Sequence, residues 1–240
     1  MKALFILLSF FLTSCSNNGK EEPFSVGVDA SFSSIQVGEK GDYLEGYVSE
    51  FLRGFSKRSG KTLAKVEVDA KNLLEGLYQD KYQAVISTLS PYNFNLAKYD
   101  FSESLLEVGK VLVVAKDVKI STLQEMEKPV IGIHEEELSG QISALLPKDT
   151  VVKKYASYPE LLDALVDKEI KGAILFRLLA LSFAENNYFE KIKVLKEPLT
   201  KESLRVITLK GKEASFLRHM NEFLSKKREQ KKLQKKWKLA

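Results

Sequence analysis

Cysteine and histidine are scarce in this sequence, which has one cysteine, Cys15, and two histidines, His134 and His219, among 240 residues. A lone cysteine excludes an internal disulfide. The histidines do not form a metal-ligand spacing such as His-x-x-x-His, so we predict no metal site. Neither a Gly-x-Ser-x-Gly elbow nor a Gly-rich phosphate loop occurs, which leaves no motif for nucleophilic catalysis or nucleotide binding. The sequence therefore predicts neither an enzyme nor a cofactor.

Long apolar runs are also absent, except at the amino terminus. After a positively charged start, Ala3–Leu12 is almost entirely apolar; a run of about ten residues is too short to span a bilayer and is typical of a signal-peptide core. Leu12-Thr13-Ser14-Cys15 resembles the lipobox of bacterial lipoproteins, which implies that Cys15 carries the lipid. We predict a signal peptide over residues 1–14 and a lipidated, flexible tether over residues 15–23. An ordinary signal peptide with an unrelated cysteine is the alternative.

Positive charge is concentrated at the carboxyl end. Lys226–Ala240 contains eight Lys or Arg residues against one Glu, a composition compatible with binding to nucleic acid or anionic lipid. Apolar residues recur through this end at roughly helical spacing: Phe216, Met220, Phe223, Leu233 and Trp237. No aromatic interleaving or groove-reading motif accompanies the lysines. We therefore expect a packed terminal helix with a solvated basic face, and no nucleic-acid binding.

Strands and helices alternate along the chain. Short apolar runs predict strands at Phe24–Val28, Ala64–Val68, Ala84–Leu89, Val111–Ala115, Val130–Ile133, Val151–Lys154 and Ala173–Phe176. Amphipathic spacing predicts helices at Gly46–Arg58, Asn72–Gln79, Ser139–Leu146 and Tyr158–Leu165. Such alternation is typical of an α/β fold with largely parallel sheets flanked by helices.

The stretch Tyr82–Ser104 carries the most information. Its predicted strand ends in three hydroxyl side chains with Pro91 just behind them: Ser87, Thr88 and Ser90. Open α/β sheets bind ligands at the carboxyl ends of their strands, so we expect these hydroxyls to contact a ligand. Together with Asp100-Phe101-Ser102, and with Lys235-Lys236-Trp237 near the end of the chain, the stretch resembles the signature of the bacterial extracytoplasmic solute-binding proteins of the polar amino-acid type, family 3.

This resemblance implies a type II periplasmic-binding-protein-like fold, in which each of two lobes is a mostly parallel sheet flanked by helices. Lobe 1 would comprise residues 24–110 and 200–240, and lobe 2 residues 111–199. Two hinge crossovers, near Gly109–Ala115 and Val194–Leu204, would join them. The implied function is capture of an amino acid or a related small polar solute by cleft closure, followed by delivery to the permease of an ABC importer. We expect a monomer, lipid-anchored to a bacterial membrane on its periplasmic side.

Several ligand contacts implied by the resemblance are present in this sequence: Asp29, Phe32, Ser87, Thr88 and Ser90. Others are replaced. Asn95 stands where the family places an Arg for the ligand's α-carboxylate, and Arg177 where it places an Asp for the α-ammonium. Glu136-Glu137 aligns with a Gly-Thr pair at a helix start, and Ala70 with an aromatic that covers the ligand.

The charges of the family's usual zwitterion clamp are therefore absent or reversed, and like charges in a cleft repel each other. We predict that the protein does not hold a free α-amino acid in the usual family manner. A ligand with an anionic group towards Arg177, or with a blocked amino group, fits better.

Simpler interpretations of these residues stay open. Arg177 closes a strand and is equally consistent with a surface position, and Glu136 with a charged helix start that favours the helix dipole. A receptor or adaptor without a transport role is one alternative function. A dehydratase-like enzyme on the same scaffold, with Asp29, Glu135 and Glu136 as acid and base, is another.

Overall fold

The computed structural model describes residues 22–37, 43–135 and 140–239. In this part of the chain the strands are β1 (Phe24–Asp29), β2 (Leu63–Val68), β3 (Ala84–Ser87), β4 (Tyr99–Phe101), β5 (Leu106–Glu107), β6 (Lys110–Ala115), β7 (Val130–His134), β8 (Val151–Tyr155), β9 (Gly172–Phe176), β10 (Ile192–Pro198) and β11 (Ser203–Leu209). The helices are α1 (Leu44–Ser59), α2 (Ala70–Tyr78), α3 (Asn93–Leu96), α4 (Gly140–Leu145), α5 (Tyr158–Val166), α6 (Arg177–Glu185), α7 (Ala214–Leu224) and α8 (Lys227–Lys236). No helix among the described residues has the length and apolar character needed to cross a membrane.

The first sheet has the strand order β2-β1-β3-β11-β4, and β5 pairs with β11 outside this path. β1 pairs in parallel with both β2 and β3. β11 pairs antiparallel with β3, β4 and β5. The expected parallel pairing therefore holds at the centre of the sheet and does not extend to β11, which comes from the far end of the chain.

The second sheet has the order β10-β6-β9-β7-β8. β7 pairs in parallel with β8 and β9, whereas β6 runs antiparallel to both β9 and β10. An antiparallel partner needs no covering helix in its connection. Both sheets are thus mixed, because one strand in each runs opposite to its neighbours. These strands are β11 in the first sheet and β6 in the second, and each adjoins a connection to the other sheet.

Helix α1 shows how the sequence pattern produces the packing. Its buried residues recur every three or four positions and form one face: Leu44, Tyr47, Val48, Phe51, Leu52 and Phe55. The helix ends at Gly60, whose φ of 71° is left-handed and whose amide donates to the Ser56 carbonyl. The buried face packs against β1, β3 and β11 in the core of the first sheet.

The carboxyl end forms two helices, not the single terminal helix expected from the spacing, because the chain turns between α7 and α8. The indole of Trp237 packs on Gly46, where an added Cβ would lie 2.4 Å from a ring carbon. Glu50 of α1 accepts hydrogen bonds from Trp237 Nε1 at 3.0 Å and from Lys236 Nζ at 2.7 Å. The prediction of a packed end with an exposed lysine face is confirmed for α8.

Two extended connections run side by side between the sheets. One lies between β5 and β6 and the other between β10 and β11. The Lys110 amide donates to Thr200 Oγ1 at 2.7 Å, and the Leu199 amide donates to the Lys110 carbonyl at 2.7 Å. An added Cβ at Gly109 would lie 2.1 Å from the Thr200 carbonyl oxygen. Only glycine therefore permits this close approach of the two connections.

Helix α6 packs on both sheets. It follows β9 of the second sheet directly, and its Ala180 belongs to the core there. Leu178 and Leu181, on another face, pack against the core of the first sheet. At the end of the helix, Glu185 accepts a hydrogen bond from Lys238 Nζ at 3.1 Å. The two halves therefore touch along α6 as well as at the connections.

Candidate functional site

The carboxyl ends of β1 and β3 lie side by side in the first sheet. Val28 is the Cα partner of Ile86, so Asp29 and Ser87 follow at the same level of the sheet. Asp29 begins a short 3-10 helix, and its Oδ1 accepts from the Ser31 amide at 2.8 Å. One carboxylate oxygen of this half-buried residue is thus engaged in local structure.

The three hydroxyl residues differ in their surroundings. β3 ends at Ser87, two residues earlier than expected, and the Leu89 amide donates to Ser87 Oγ at 3.2 Å. Thr88 is exposed, and Ser90 is half-buried. The Ser90 carbonyl accepts from the Tyr92 amide at 2.8 Å, which turns the chain into helix α3.

Asn95 does not point into open space. Asn95 is 7% exposed, and its Nδ2 donates a hydrogen bond to the Ser90 carbonyl at 2.8 Å. The side chain thereby closes the loop that carries the hydroxyls. Where the resemblance implies a carboxylate-binding arginine, this chain has a residue that supports the loop before α3.

Phe32 lies in the core of the first sheet and is 6% exposed. Its ring has little surface left for a ligand. The sequence match to the family's aromatic residue after the first strand therefore falls on a core position. The spacing of residues after β1 does not distinguish a ligand contact from a core residue.

Arg177 is the first residue of α6 and lies beside the connection between β5 and β6. Its amide donates to the Gly109 carbonyl at 3.1 Å, and Nη1 donates to the Lys196 carbonyl at 3.1 Å. Burial lowers the pKa of its guanidinium, and the negative charge of Glu107 partly opposes this effect. Arg177 lines a cavity of about 270 Å³ together with Glu107 and the basic face of α8. Ser87, Thr88 and Ser90 do not line that cavity.

Ser90 lines a different and larger cavity, of about 510 Å³, between the loop before α3 and the second connection. Its lining comes from both halves of the molecule: Ser90, Pro91, Tyr92, Leu145, Leu199, Thr200, Lys201, Glu202 and Arg205. Leu145 ends helix α4, next to the second sheet, whereas Ser90 follows β3 of the first sheet. A ligand here would touch both halves.

Arg205 is the residue that the sequence reasoning missed. It is the Cα partner of Ser87 in the β3–β11 pair, although 118 positions separate them in the chain. Nη1 donates to the Ser102 carbonyl at 2.8 Å. Burial lowers the pKa of the Arg205 guanidinium, against an opposing effect of the Glu103 charge. A signal was present, since a lone arginine interrupts the apolar strand Leu204–Leu209.

Glu202 lies three residues before Arg205 on the same cavity wall. Its carbonyl accepts from the Val108 amide at 3.0 Å, which ties it to the first connection. Within residues 22–37, 43–135 and 140–239, its Oε2 is buried and has no hydrogen-bond partner. A buried carboxylate oxygen without a donor is unfavourable for the folded state.

The other residues that the sequence analysis discusses are either outside the described part of the chain or placed as follows. Glu136 and Cys15 lie outside the described residues. Ala70 begins α2 and is exposed. His134 Nε2 contacts the Ala156 carbonyl at 3.1 Å, and its ring stacks on Tyr158. Over the described ranges, no group of three His, Cys, Asp or Glu side chains is arranged to hold a metal ion.

The sequence and the fold of this chain were compared with those of known proteins. The sequence model of the bacterial extracellular solute-binding proteins, family 3, matches residues 24–240. A search of the curated proteins gave no match.

Three solved structures share the fold. The L-cystine solute receptor of Neisseria gonorrhoeae, in its unliganded open conformation, is 17% identical with a TM-score of 0.73. The match covers 90% of this chain and 92% of the receptor chain. The second substrate-binding domain of GlnP from Lactococcus lactis, in an open conformation, is 12% identical with a TM-score of 0.71, covering 92% and 95%. A substrate-binding protein of a polar amino acid ABC uptake transporter from Streptococcus thermophilus is 21% identical with a TM-score of 0.68, covering 90% and 85%.

Proposed function

This chain belongs to the bacterial extracellular solute-binding proteins of family 3, and from that premise we propose that it captures an amino acid or a related small polar solute between two lobes. The loaded protein then delivers the solute to the permease of an ABC importer. The names of its structural neighbours, which include an L-cystine receptor and a polar amino acid uptake protein, support this ligand class.

The observation that carries the proposal is the pair of adjoining connections between the two sheets. The proposed lobe 1 comprises residues 24–110 and 200–240, and the proposed lobe 2 comprises residues 111–199. Gly109 and Thr200 lie in contact at the boundary. Two extended connections that meet at one place allow rigid halves to rotate towards each other, which is the hinge mechanism of periplasmic binding proteins.

The proposed contacts come mainly from strand ends of lobe 1. Asp29, Ser87, Thr88 and Ser90 present a carboxylate and hydroxyls at neighbouring ends of β1 and β3. We assign Asn95 to support of the loop, on the strength of its hydrogen bond to the Ser90 carbonyl. Phe32 would act through the core behind β1, since it is 6% exposed.

Lobe 2 contributes two further proposed contacts, Arg177 and Glu136. Arg177 reaches the region near Glu107 and α8, so lobe rotation is required before it could meet a ligand held by Ser90. We expect Arg177→Ala to weaken ligand binding, and an unchanged affinity would place this residue outside the site.

The protein works outside the cytoplasm, in keeping with its family. We further propose that it is a monomer held at the membrane by lipid on Cys15, because this unique cysteine directly follows Leu12-Thr13-Ser14. Cys15→Ser is expected to abolish labelling by a fatty-acid analogue in cells. Labelling that persists in this variant would refute lipid attachment at Cys15.

A ligand panel tests the function. Melting temperatures of the intact protein are measured with amino acids, amines, organic acids and small sugars. A binder at a hundredfold excess over its Kd stabilises the folded state by about 2.7 kcal/mol, which shifts the melting temperature measurably. Chemical turnover of a ligand would favour an enzyme, and no shift with any compound would contradict a solute-binding role.

A further inference from the structure

We propose that lobe 1 binds the anionic phospholipid headgroups of the membrane through a basic surface that α1 and α8 form together. This α1–α8 basic surface consists of exposed cationic side chains, two on α1 and three on α8: Arg53, Lys57, Arg228, Lys232 and Lys235. The contact is separate from solute capture. It rests on the proposed lipid attachment at Cys15 only for the choice of a membrane as the partner.

Helix α8 lies antiparallel along α1, which brings the two sets of charges together. At one end Arg58 Nη1 is 3.7 Å from Glu229 Oε2, and at the other end of α8 Trp237 packs on Gly46. Gln230 is the buried residue of α8. Successive residues of a helix are rotated by about 100°, so the three cationic positions of α8 lie on the side opposite Gln230 and face outwards.

The cationic residues of α1 lie along the edge that borders α8. Arg53 and Lys57 are one helical turn apart and exposed. They follow Glu50 by three and seven positions, which places them on its side of the helix. Glu50 itself contacts α8 through its ion pair with Lys236. The two helices therefore present one continuous basic face.

The acidic groups beside this face are already engaged. Glu50 pairs with Lys236, and Glu229 lies beside Arg58. Hydrogen bonds from Lys236 and Trp237 lower the pKa of Glu50, and the Arg53 charge contributes less. Within residues 22–37, 43–135 and 140–239, no member of the α1–α8 basic surface takes part in an ion pair within 4.0 Å. Like charges that lack counter-charges attract an anionic partner.

The chain enters lobe 1 next to the same surface. The Phe24 amide, at the start of β1, donates to the Thr62 carbonyl at 2.9 Å, just after the end of α1 that carries Lys57. Lys61 lines a cavity with the residues immediately before Phe24. Nine residues lead from Cys15 to Phe24, and a chain of that length spans at most about 30 Å. A lipid on Cys15 would therefore hold this end of lobe 1 close to the bilayer.

The contact is electrostatic and leaves α8 in place. The ring of Trp237 is occupied by packing on α1, so the helix has no free apolar face to insert into lipid. Each Lys or Arg near an anionic surface strengthens binding roughly fivefold, and an anchor raises the effective concentration of the surface at the membrane. A nucleic acid would meet the same charges, but the proposed anchor favours the membrane.

Sedimentation with lipid vesicles tests the surface. The protein is residues 15–240 with Cys15→Ser, so that no acyl chain contributes; every described strand and helix lies within this chain. It should bind vesicles of phosphatidylglycerol and phosphatidylcholine in equal parts and not vesicles of phosphatidylcholine alone. Binding should be lost in about 1 M salt, where charges are screened beyond about 3 Å. The emission of Trp237, the one tryptophan of the chain, should stay unchanged.

Variants locate the contact. A triple variant of α8, with Arg228→Gln, Lys232→Gln and Lys235→Gln, should bind the mixed vesicles roughly a hundredfold more weakly. The α1 pair Arg53→Gln and Lys57→Gln should weaken binding roughly twentyfold, and it serves if the triple variant does not fold. The control removes three charges from exposed positions in the half that contains the second sheet, and it should weaken binding by less than about threefold: Lys116→Gln, Lys119→Gln and Lys154→Gln.

Each contrary result is specific. The surface is wrong if the mixed vesicles are not bound, if phosphatidylcholine alone is bound as tightly, or if the control weakens binding as much as the α8 variant. Binding of duplex DNA without binding of the mixed vesicles would refute the membrane as the partner. A shift of the Trp237 emission would show that α8 leaves α1 and would overturn the docked surface. The α8 variant should keep the melting-temperature shift caused by a bound solute, so failure of vesicle binding leaves solute capture standing.

Discussion

At the residue scale, the buried Asn95 side chain supports the loop that follows β3 through one hydrogen bond. Its Nδ2 satisfies the Ser90 carbonyl, and the residue is almost completely buried. Hydroxyl residues at the end of β3 depend on this loop for their positions.

We expect Asn95→Ala to lower the free energy of unfolding by about 0.5–1.5 kcal/mol, because the Ser90 carbonyl keeps the Tyr92 amide but loses its second donor, and a small void remains. Urea denaturation measures the change. Asn93→Ala, at an exposed position of the same helix, should change stability by less than about 0.5 kcal/mol. Equal effects of the two variants would contradict the supporting role.

Asp100 gives a pH-dependent prediction. Lys210 Nζ and the Gly211 amide donate to its two carboxylate oxygens at 2.7 Å each, and these bonds lower its pKa. A lowered pKa in the folded state means that the contribution to stability is present above the unfolded pKa of about 3.9 and is lost as the pH falls through the folded value.

Asp100→Asn should therefore cost stability at neutral pH and little in strong acid. Solvent screening of the exposed Lys210 limits the cost to about 1 kcal/mol. Thermal melts across the acid range check this, with Asp149→Asn at an exposed position as control. A difference between wild type and Asp100→Asn that stays constant with pH would contradict the assignment.

At the element scale, the docking of α8 depends on α1. Gly46 lets the Trp237 ring lie on the helix surface, and Glu50 receives the indole N–H and Lys236. The carboxyl end of the strongly basic segment is thus held by the Trp237 ring and by the ion pairs of Lys236 with Glu50 and of Lys238 with Glu185. Its remaining lysines face solvent, as the sequence spacing predicted.

The effect of Gly46→Ala on the free energy of unfolding should change sign when Trp237 is replaced by Ala. With Trp237 present, overpacking is expected to cost about 1–3 kcal/mol. In a Trp237→Ala background the clash is gone, and alanine should stabilise α1 by up to about 1 kcal/mol through helix propensity. Chemical denaturation of the four proteins provides the cycle; additive effects would show that Trp237 does not pack there.

At the scale of the whole molecule, the two halves meet at Gly109–Thr200 and along α6. The cavity beside Ser90 lies between the halves and includes Leu145 next to the second sheet. Rotation about the connections would change the distance between these walls. This arrangement supplies a route from ligand contact to a global change in shape.

A ligand that binds tightly should therefore reduce the radius of gyration in solution X-ray scattering. A solute that the melting-temperature panel identifies as a binder is added at saturation, and a non-binding compound from the same panel is the control. Identical radii with and without the binder would rule out closure as the capture mechanism.

Local pattern determined much of the fold. The phenylalanines and tyrosine of α1 recur at helical spacing, and the apolar runs of β1, β3 and β7 are short and β-rich, so these elements were predicted to within about two residues. α6 was missed because its apolar residues face two cores and leave no clear polar side. The strand β11 was missed as an element because Arg205 interrupts its apolar run.

The sequence by itself determined the family, the alternation of strands and helices, and the hydroxyl-rich end of β3, because these depend on residues close together in the chain. Tertiary structure decided which side chains share a cavity. Pairing of β3 with β11 brings Arg205 beside Ser87, burial turns Phe32 and Asn95 inward, and the start of α6 holds Arg177 at the connection. Charge placement in a cleft depends on contacts between distant segments, and no local spacing encodes them.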